Sequence, residues 1–279
     1  MKLSTLRLAG TTTAARVDDT TATLIDGYAD LGTLLAQDNW RDIAQAAHGT
    51  TVALDGADYA PVIPRPGKVF CVGLNYASHI KEMGRDLPEY PTLFLKLADA
   101  LTGPYDDVVV PDYAASQLDW EAELAVVIGM QAYQVTAASA ADHIAGYSVI
   151  NDYTMRDYQY RTLQWDQGKN FEKTSGFGPW LDTDYQLGTR IETRLENEVM
   201  QESTTDDLVF KPAELVEYIS HIVTLNPGDV IITGTTGGVG HARKPARYIG
   251  DGQTVEVTVE GLGTCLLYTS DAADEEDSV

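Results

Sequence analysis

The sequence has few cysteines, little positive charge and no long apolar run. Its 279 residues include only two cysteines, Cys71 and Cys265, too few for a disulfide framework. No stretch approaches the roughly 18 consecutive apolar residues that a membrane span needs. The N-terminal residues also lack the apolar core of a secretory signal. These absences predict a cytoplasmic protein with no membrane partner.

Positive charge is scarce, because 19 lysines and arginines stand against 42 acidic residues and give a formal net charge of −23. A surface this acidic repels the phosphate backbone of nucleic acids and anionic lipid. We therefore expect neither nucleic acid nor a membrane as a partner. The remaining composition, 44% hydrophobic and 22% charged, is typical of a globular domain.

An apolar, β-branched run lies within residues 118–129 and ends at a glycine, the pattern of a buried strand. Because side chains alternate along a strand, Glu121 and Glu123 are expected on one face, about 6–7 Å apart. A divalent cation between them would remove their repulsion and their desolvation cost. Oxygen-only ligands favour Mg²⁺, Mn²⁺ or Ca²⁺ over zinc. The spacing alone also fits two solvated glutamates at a strand end.

Three further segments carry polar groups beside predicted strands or helices. His79 and Glu82 are three residues apart on a short predicted helix, where a carboxylate can orient an imidazole, although such pairs are common on solvated helices. Asp152 follows the apolar run 143–150, either as a metal ligand or as a turn or helix cap. Lys169 follows a loop glycine and is either a surface lysine or a stabiliser of developing negative charge.

Many short strands between turn signals, with few helices, predict a β-rich α+β fold. Residues 1–65 are expected to form a small N-terminal domain, with a strand at residues 3–8 and a helical pattern over residues 30–47. The proline-rich segment 61–67 is the predicted linker to a larger domain at residues 66–264.

These motifs together resemble the fumarylacetoacetate hydrolase family over about residues 66–263. The segments that carry the resemblance follow the family's order: residues 72–76 with His79 and Glu82, the Glu121/Glu123 strand, Asn151 and Asp152 with Arg156 and Gln159, Gly168 with Lys169, and residues 227–235. The resemblance implies a mixed β-roll or sandwich catalytic domain with a small N-terminal α/β domain, usually assembled as a homodimer.

The resemblance also implies roles for individual side chains and a cofactor, Mg²⁺ or Mn²⁺, with Ca²⁺ as a substitute in crystals. The implied metal ligands are Glu121, Glu123 and Asp152. The implied catalytic groups are His79, Glu82 and Lys169. The implied substrate-binding groups are Tyr76, Arg156, Gln159 and Thr235. One departure is Thr236, where the family commonly has proline.

The implied substrate is a small 2-oxo acid, and the family context suggests aromatic catabolism. The first expectation is hydrolytic cleavage of a C–C bond in an acylpyruvate-like or fumarylpyruvate-like β-diketo acid, through a metal-stabilised enolate. The alternatives are decarboxylation of oxaloacetate, or isomerisation of a 2-hydroxymuconate-type or 2-hydroxyhepta-2,4-diene-1,7-dioate-type substrate. A non-catalytic metal-binding protein is a further class, which the intact carboxylates and the His79–Glu82 pair disfavour.

The C-terminal segment departs from the family. Residues 265–274 resemble translated sequencing-library adapter, and acidic residues are concentrated in the last nine positions. Residues 265–279 are therefore predicted to be a non-native, ill-ordered acidic tail, and Cys265 is given no functional role.

Overall fold

Strands dominate the protein in its computed structural model, which describes residues 1–271. Within this range the strands are β1 Lys2–Leu8, β2 Thr11–Val17, β3 Thr21–Leu24, β4 Thr51–Ala53, β5 Asp58–Tyr59, β6 Val69–Gly73, β7 Thr92–Leu95, β8 Leu101–Thr102, β9 Val108–Val110, β10 Leu118–Asp119, β11 Ala122–Ile128, β12 Ile144–Asn151, β13 Thr154–Met155, β14 Ser175–Gly176, β15 Leu181–Asp182, β16 Arg190–Leu195, β17 Glu198–Thr204, β18 Val230–Thr235, β19 Thr254–Val259 and β20 Gly263–Asp271.

The α-helices are short, apart from the last one. They are α1 Leu31–Leu35, α2 Trp40–Gln45, α3 Ala77–Glu82, α4 Ala137–Ala140, α5 Arg156–Gln159, α6 Asp166–Lys169 and α7 Pro212–Ile222. None of the helices in the described part of the chain has the length and apolar character that crossing a bilayer requires. The predicted β-rich α+β class is confirmed.

The largest sheet has eleven strands and joins the N-terminal region to the rest of the chain. Its main path runs β4-β3-β2-β1-β15-β12-β11-β18-β6-β7, with β5 paired to β1. Strand β1 forms antiparallel pairs with β2 and, through Lys2 and Leu3, with β15. The strands of residues 1–65 therefore continue the sheet that contains β11 and β12, and the domain boundary at residue 65 stays a prediction.

Strand β11 is the buried centre of the structure, since every residue from Ala122 to Ile128 is buried. Leu124 packs toward a second, five-stranded sheet of order β17-β16-β19-β20-β9. Ala125, on the opposite face, packs into the core that includes Leu31 and Leu34 of α1. Apolar side chains on both faces explain the uninterrupted hydrophobic run that the sequence shows here.

The helical pattern predicted over residues 30–47 forms two helices rather than one. Asp30 caps α1, because its carboxylate accepts a hydrogen bond from the Thr33 backbone N–H at 2.7 Å. The chain then leaves the helix after Leu35 and re-enters it at Trp40, with Asn39 at the N-cap. Residues 36–39, of which the last three are polar, separate the apolar side chains of α1 from those of α2, and both sets pack into the same core.

The expected ill-ordered tail from residue 265 is wrong for residues 265–271. They belong to β20, which pairs antiparallel with β19 and parallel with β9. Cys265 and Leu267 are fully buried, whereas Leu266 and Tyr268 point outward, the alternation of a half-buried strand. The two pairings satisfy the backbone, and the inward side chains fill the core. The rest of the predicted tail, residues 272–279, lies outside the described residues.

Candidate metal centre and active site

Three carboxylates from separate segments meet at one end of the central sheet. Glu121 precedes β11, Glu123 lies within it and Asp152 follows β12, and each offers an oxygen within 4.8 Å of the other two. The antiparallel pairing of Ala122 with Asn151 produces this meeting. The Asp152 N–H also donates to the Glu121 carbonyl at 2.9 Å. All three side chains are buried, so their charges face one another with little water between them.

Two buried lysines neutralise part of this charge. Lys169 Nζ lies 2.5 Å from Glu121 Oε2 and 2.8 Å from Asp152 Oδ2, and Lys96 Nζ lies 2.9 Å from Asp152 Oδ1. Burial raises the pKa of the Glu121 carboxyl, but the charges of Lys169 and Arg156 outweigh it and hold that pKa below its ordinary value. Burial likewise raises the pKa of Asp152, and Lys169 and Lys96 hold it below its ordinary value. Glu121 and Asp152 are therefore ionised at neutral pH.

Glu123 is in a different electrostatic position. Its Oε2 accepts a hydrogen bond from the Gly234 backbone N–H at 2.5 Å. Burial, followed by the charges of Asp152 and Glu121, raises the pKa of Glu123 well above its ordinary value. The cluster therefore lacks positive charge at this carboxylate. A divalent cation would supply it, and three carboxylate oxygens are the donor set that hard cations take, so the residues present fit the implied metal.

Arg156 fixes the outer side of Glu121. Its Nε and Nη2 each lie 2.8 Å from Asp119 Oδ2, its Nη2 also lies 2.8 Å from Glu121 Oε1, and its Nη1 donates to Gln159 Oε1 at 2.9 Å. The Nε and Nη1 N–H groups donate hydrogen bonds, whereas Nη2 contacts the two carboxylates as an ion pair without hydrogen-bond geometry. Arg156 and Gln159 line the pocket, and the substrate-binding role that the resemblance implies for them stays a prediction. Arg156 also contacts Glu121, a carboxylate of the cluster.

His79 and Glu82 lie on α3 and contact each other as their spacing predicts. His79 Nδ1 is 3.2 Å from Glu82 Oε2, and the same oxygen accepts the Gly238 backbone N–H at 3.2 Å. The helix begins beside Asp207, whose carboxylate accepts from the Ser78 N–H and hydroxyl at 2.9 and 2.6 Å. The imidazole is therefore held at one nitrogen while the side chain faces the pocket.

A single pocket brings most of the sequence-derived candidates together. The candidates among its lining residues are His79, Glu121, Glu123, Arg156, Gln159, Lys169 and Thr235. Phe94, Trp165 and Tyr160 add aromatic walls. Thr235 is fixed by two hydrogen bonds, since its hydroxyl donates to the Ala122 carbonyl at 3.0 Å and accepts from Gln201 Nε2 at 2.8 Å.

Three candidates, Tyr76, Glu82 and Asp152, are not among the lining residues of the pocket. Glu82 and Asp152 contact the lining residues His79 and Lys169, whereas Tyr76 lies in the hydrophobic core. Its side chain is fully buried within the hydrophobic cluster between the two sheets, and its hydroxyl has no hydrogen-bond partner in the described part of the chain. Burial, with a smaller contribution from Glu123, raises its pKa well above the ordinary value. The substrate-binding role that the resemblance implies for Tyr76 stays a prediction.

Sequence reasoning missed two charged residues of the site. Lys96 contacts Asp152 across 56 positions of the chain, and no local pattern signals that contact. Asp119 could have been found, because it stands two residues before Glu121, just as Glu121 stands two before Glu123. The strand alternation predicted over residues 118–129 includes it, although in the structure Trp120 and Glu121 separate β10 from β11.

Comparison with known proteins identifies the class of this fold and site. The family model for the C-terminal domain of fumarylacetoacetate hydrolase matches residues 68–266. The chain belongs to the fumarylacetoacetate hydrolase family, as its motifs predicted.

Relatives within the family carry different activities in their names. The mitochondrial oxaloacetate tautomerase FAHD2A of Bos taurus is 42% identical over 213 residues, which cover 74% of this chain and 67% of the relative. The fumarylacetoacetate hydrolase of Exiguobacterium antarcticum superposes with a TM-score of 0.88 at 30% identity, covering 97% of this chain and 99% of that one. A 5-carboxymethyl-2-hydroxymuconate delta-isomerase of Mycobacterium smegmatis gives a TM-score of 0.81 at 33% identity, over 97% and 99% of the two chains.

Proposed function

We propose that this protein is a metal-dependent enzyme that interconverts the keto and enol forms of a 2-oxo dicarboxylic acid of the oxaloacetate type. The observation that carries the proposal is the buried cluster of Glu121, Glu123 and Asp152, whose two glutamates line a pocket together with Lys169 and His79. The tautomerase and isomerase names among the relatives support it. Hydrolytic C–C cleavage, the first expectation from the sequence, becomes the second candidate.

The three carboxylates would hold Mg²⁺ or Mn²⁺. When bound, such an ion supplies Lewis acidity toward the 2-oxo group and the adjacent carboxylate of the substrate. The remaining work, which is to hold charge, move a proton and limit the access of water, falls to side chains of this chain.

Lys169 supplies a fixed positive charge. Burial lowers its pKa, but the charges of Asp152 and Glu121 outweigh this effect and raise the pKa above its ordinary value. The ammonium group therefore stays protonated beside the position where the keto oxygen gains negative charge. A preorganised cation in a site of low polarity stabilises that charge without reorganisation.

His79 is the group proposed to move the proton. Because Glu82 engages Nδ1, the Nε2 atom is left to take a proton from carbon 3 of the keto form and to pass it to the oxygen that becomes the enol hydroxyl. The reverse reaction takes the proton from that hydroxyl and returns it to carbon 3. The Glu82 carboxylate stabilises the imidazolium that forms in between. The aromatic walls at Phe94 and Trp165, which contact each other edge to face at 5.6 Å, limit water around the reacting carbon.

The second candidate, hydrolysis of an acylpyruvate, is favoured by one specific observation. The same His79–Glu82 pair that exchanges a proton with carbon can activate a water molecule for attack on a carbonyl. Both reactions place negative charge on the 2-oxo oxygen. They differ in the group that gives its proton to His79, which is carbon 3 of the substrate in tautomerisation and a water molecule in hydrolysis.

Proton exchange at carbon 3 separates the two candidates. In deuterated buffer with Mn²⁺ or Mg²⁺, the enzyme should accelerate hydrogen–deuterium exchange at carbon 3 of oxaloacetate, followed by mass spectrometry or NMR, and EDTA should abolish the acceleration. Acetylpyruvate should be cleaved much more slowly than oxaloacetate exchanges. Fast cleavage of acetylpyruvate without carbon-3 exchange would overturn the tautomerase proposal in favour of hydrolysis.

Three expectations of the sequence remain part of the proposal. They are a homodimer, a role in aromatic catabolism and a cytoplasmic location. The two cysteines are buried and unpaired, which agrees with a reducing compartment. Light scattering on the purified protein tests the dimer.

A further inference from the structure

Three rings form a stack at the edge of the pocket. The rings of Tyr160 and His241 have centroids 4.9 Å apart with a tilt of 33°, and the rings of His241 and Tyr248 have centroids 6.5 Å apart with a tilt of 35°. His241 Nδ1 lies 3.1 Å from the Tyr248 hydroxyl, a hydrogen bond that fixes the imidazole ring. Ring separations of this size are typical of offset aromatic pairs.

The stack is joined to the polar side of the site. The His241 backbone N–H donates to Asp119 Oδ2 at 2.9 Å, and the same oxygen binds Arg156. Tyr160 directly follows α5, the helix that contains Arg156 and Gln159. Two routes therefore connect the Tyr160 ring to the Arg156 guanidinium that contacts Glu121. One runs through His241 and Asp119, and the other through helix α5.

Of the three rings, Tyr160 is the one that lines the pocket. Tyr160 lines the pocket and its residue surface is 53% exposed, whereas neither His241 nor Tyr248 is part of the lining. The imidazole thus supports a tyrosine whose own hydroxyl has no hydrogen-bond partner in the described part of the chain. A half-exposed ring that is held from behind and open toward a pocket is a flat apolar surface available for stacking.

We infer that Tyr160 is a specificity-determining residue that stacks on a planar, conjugated or aromatic tail of the 2-oxo acid, and that His241 is the positioning residue that holds its ring. The inference rests on the proposed function for the end of the ligand that binds the carboxylate cluster. It adds a chemical class for the part of the acid beyond carbon 3, where oxaloacetate has only a carboxylate and serves as the smallest substrate of the class. A compact tail such as a methyl group offers no π-face to this ring and gains nothing from it.

The test uses stable ligands, so that it does not depend on turnover. Calorimetry on the Mn²⁺-loaded full chain compares oxamate with N-phenyloxamate, which share the chelating end and differ by a planar ring. Wild type should bind N-phenyloxamate about threefold to tenfold more tightly, the range expected for one aromatic pair. Tyr160→Ala should remove this preference, and Tyr160→Phe should keep it.

The positioning role of His241 requires variants that distinguish support of the Tyr160 ring from an effect on the overall stability of the fold. His241→Ala should reduce the N-phenyloxamate preference while leaving oxamate affinity unchanged, and His241→Phe should restore the preference. Tyr133→Ala, an exposed tyrosine away from the pocket lining, is the matched control and should behave as wild type.

Retention of the phenyl preference in Tyr160→Ala would overturn the inference. An unchanged preference in His241→Ala would overturn the positioning role. Normal ligand binding without any carbon-3 exchange would overturn only the proposed function.

Discussion

Asp119 holds Arg156 by two nitrogens, since Nε and Nη2 each lie 2.8 Å from the same carboxylate oxygen, Oδ2. The carboxylate also accepts the backbone N–H groups of Trp120, Gly240 and His241 at 2.9, 2.7 and 2.9 Å. Asp119 is fully buried. One carboxylate thus joins β10, α5 and the loop after β18, and it does so next to the acidic cluster.

Asp119→Asn should therefore destabilise the fold strongly. Every partner of the carboxylate is a donor, so an amide NH₂ in place of either oxygen faces N–H groups and leaves the Arg156 charge short of its counterion. Breaking a buried ion pair in this way costs about 3–5 kcal/mol, measurable as the free energy of unfolding in urea. Asp112→Asn, at a neighbouring exposed position, is the control and should change little. A loss below about 1 kcal/mol would contradict the assigned role.

The cation site predicts the behaviour of Glu123. Glu123→Gln keeps an oxygen to accept the Gly234 N–H but removes the negative charge, so Mn²⁺ affinity measured by calorimetry should fall on the order of 100-fold. Glu123→Ala, which also removes the ligand atom, should abolish binding and activity. Glu260→Gln, at an exposed acidic position, should bind Mn²⁺ like wild type. Full metal-dependent activity in Glu123→Ala would refute the ligand assignment.

Local patterns were sufficient to predict much of the site. The alternation of a strand placed Glu121 and Glu123 on one face, and helical spacing placed His79 beside Glu82 at 3.2 Å. Each of these relationships depends on neighbours in the chain, where backbone geometry alone fixes which side chains meet.

The relationships that the sequence could not show depend on the assembled sheet. Lys96 reaches Asp152 only because β7 and β12 belong to the same folded sheet, although several strands separate them. The fully buried position of Tyr76 likewise follows from the packing of the two sheets. At the C-terminus, the prediction rested on the likeness of residues 265–274 to adapter sequence, which carries no information on whether the apolar run 265–268 can pair with β19 and pack on the core.

The His79–Glu82 pair makes a separable prediction about catalysis. Glu82→Gln replaces the carboxylate that accepts from His79 and Gly238 but leaves the acidic cluster untouched. Mn²⁺ binding should stay close to wild type, while carbon-3 exchange should slow by about 10²–10⁴-fold, the range for general acid–base groups. Glu89→Gln, on the exposed loop after α3, is the matched control. Parallel losses of metal binding and exchange would show that Glu82 acts through the metal site instead.

The last strand provides a test of whether the C-terminal segment is part of the folded unit. Leu267 is fully buried between the sheets, and its neighbour Leu266 is 39% exposed on the opposite face of β20. Leu267→Ala should reduce the free energy of unfolding by about 2–5 kcal/mol, because it removes buried methyl groups and leaves a cavity. Leu266→Ala changes the same residue type in the same strand and should have a small effect. Both effects are measured by urea unfolding. Equal, small effects of the two substitutions would mean that β20 does not pack on the core in solution and that the segment is the ill-ordered tail predicted from the sequence.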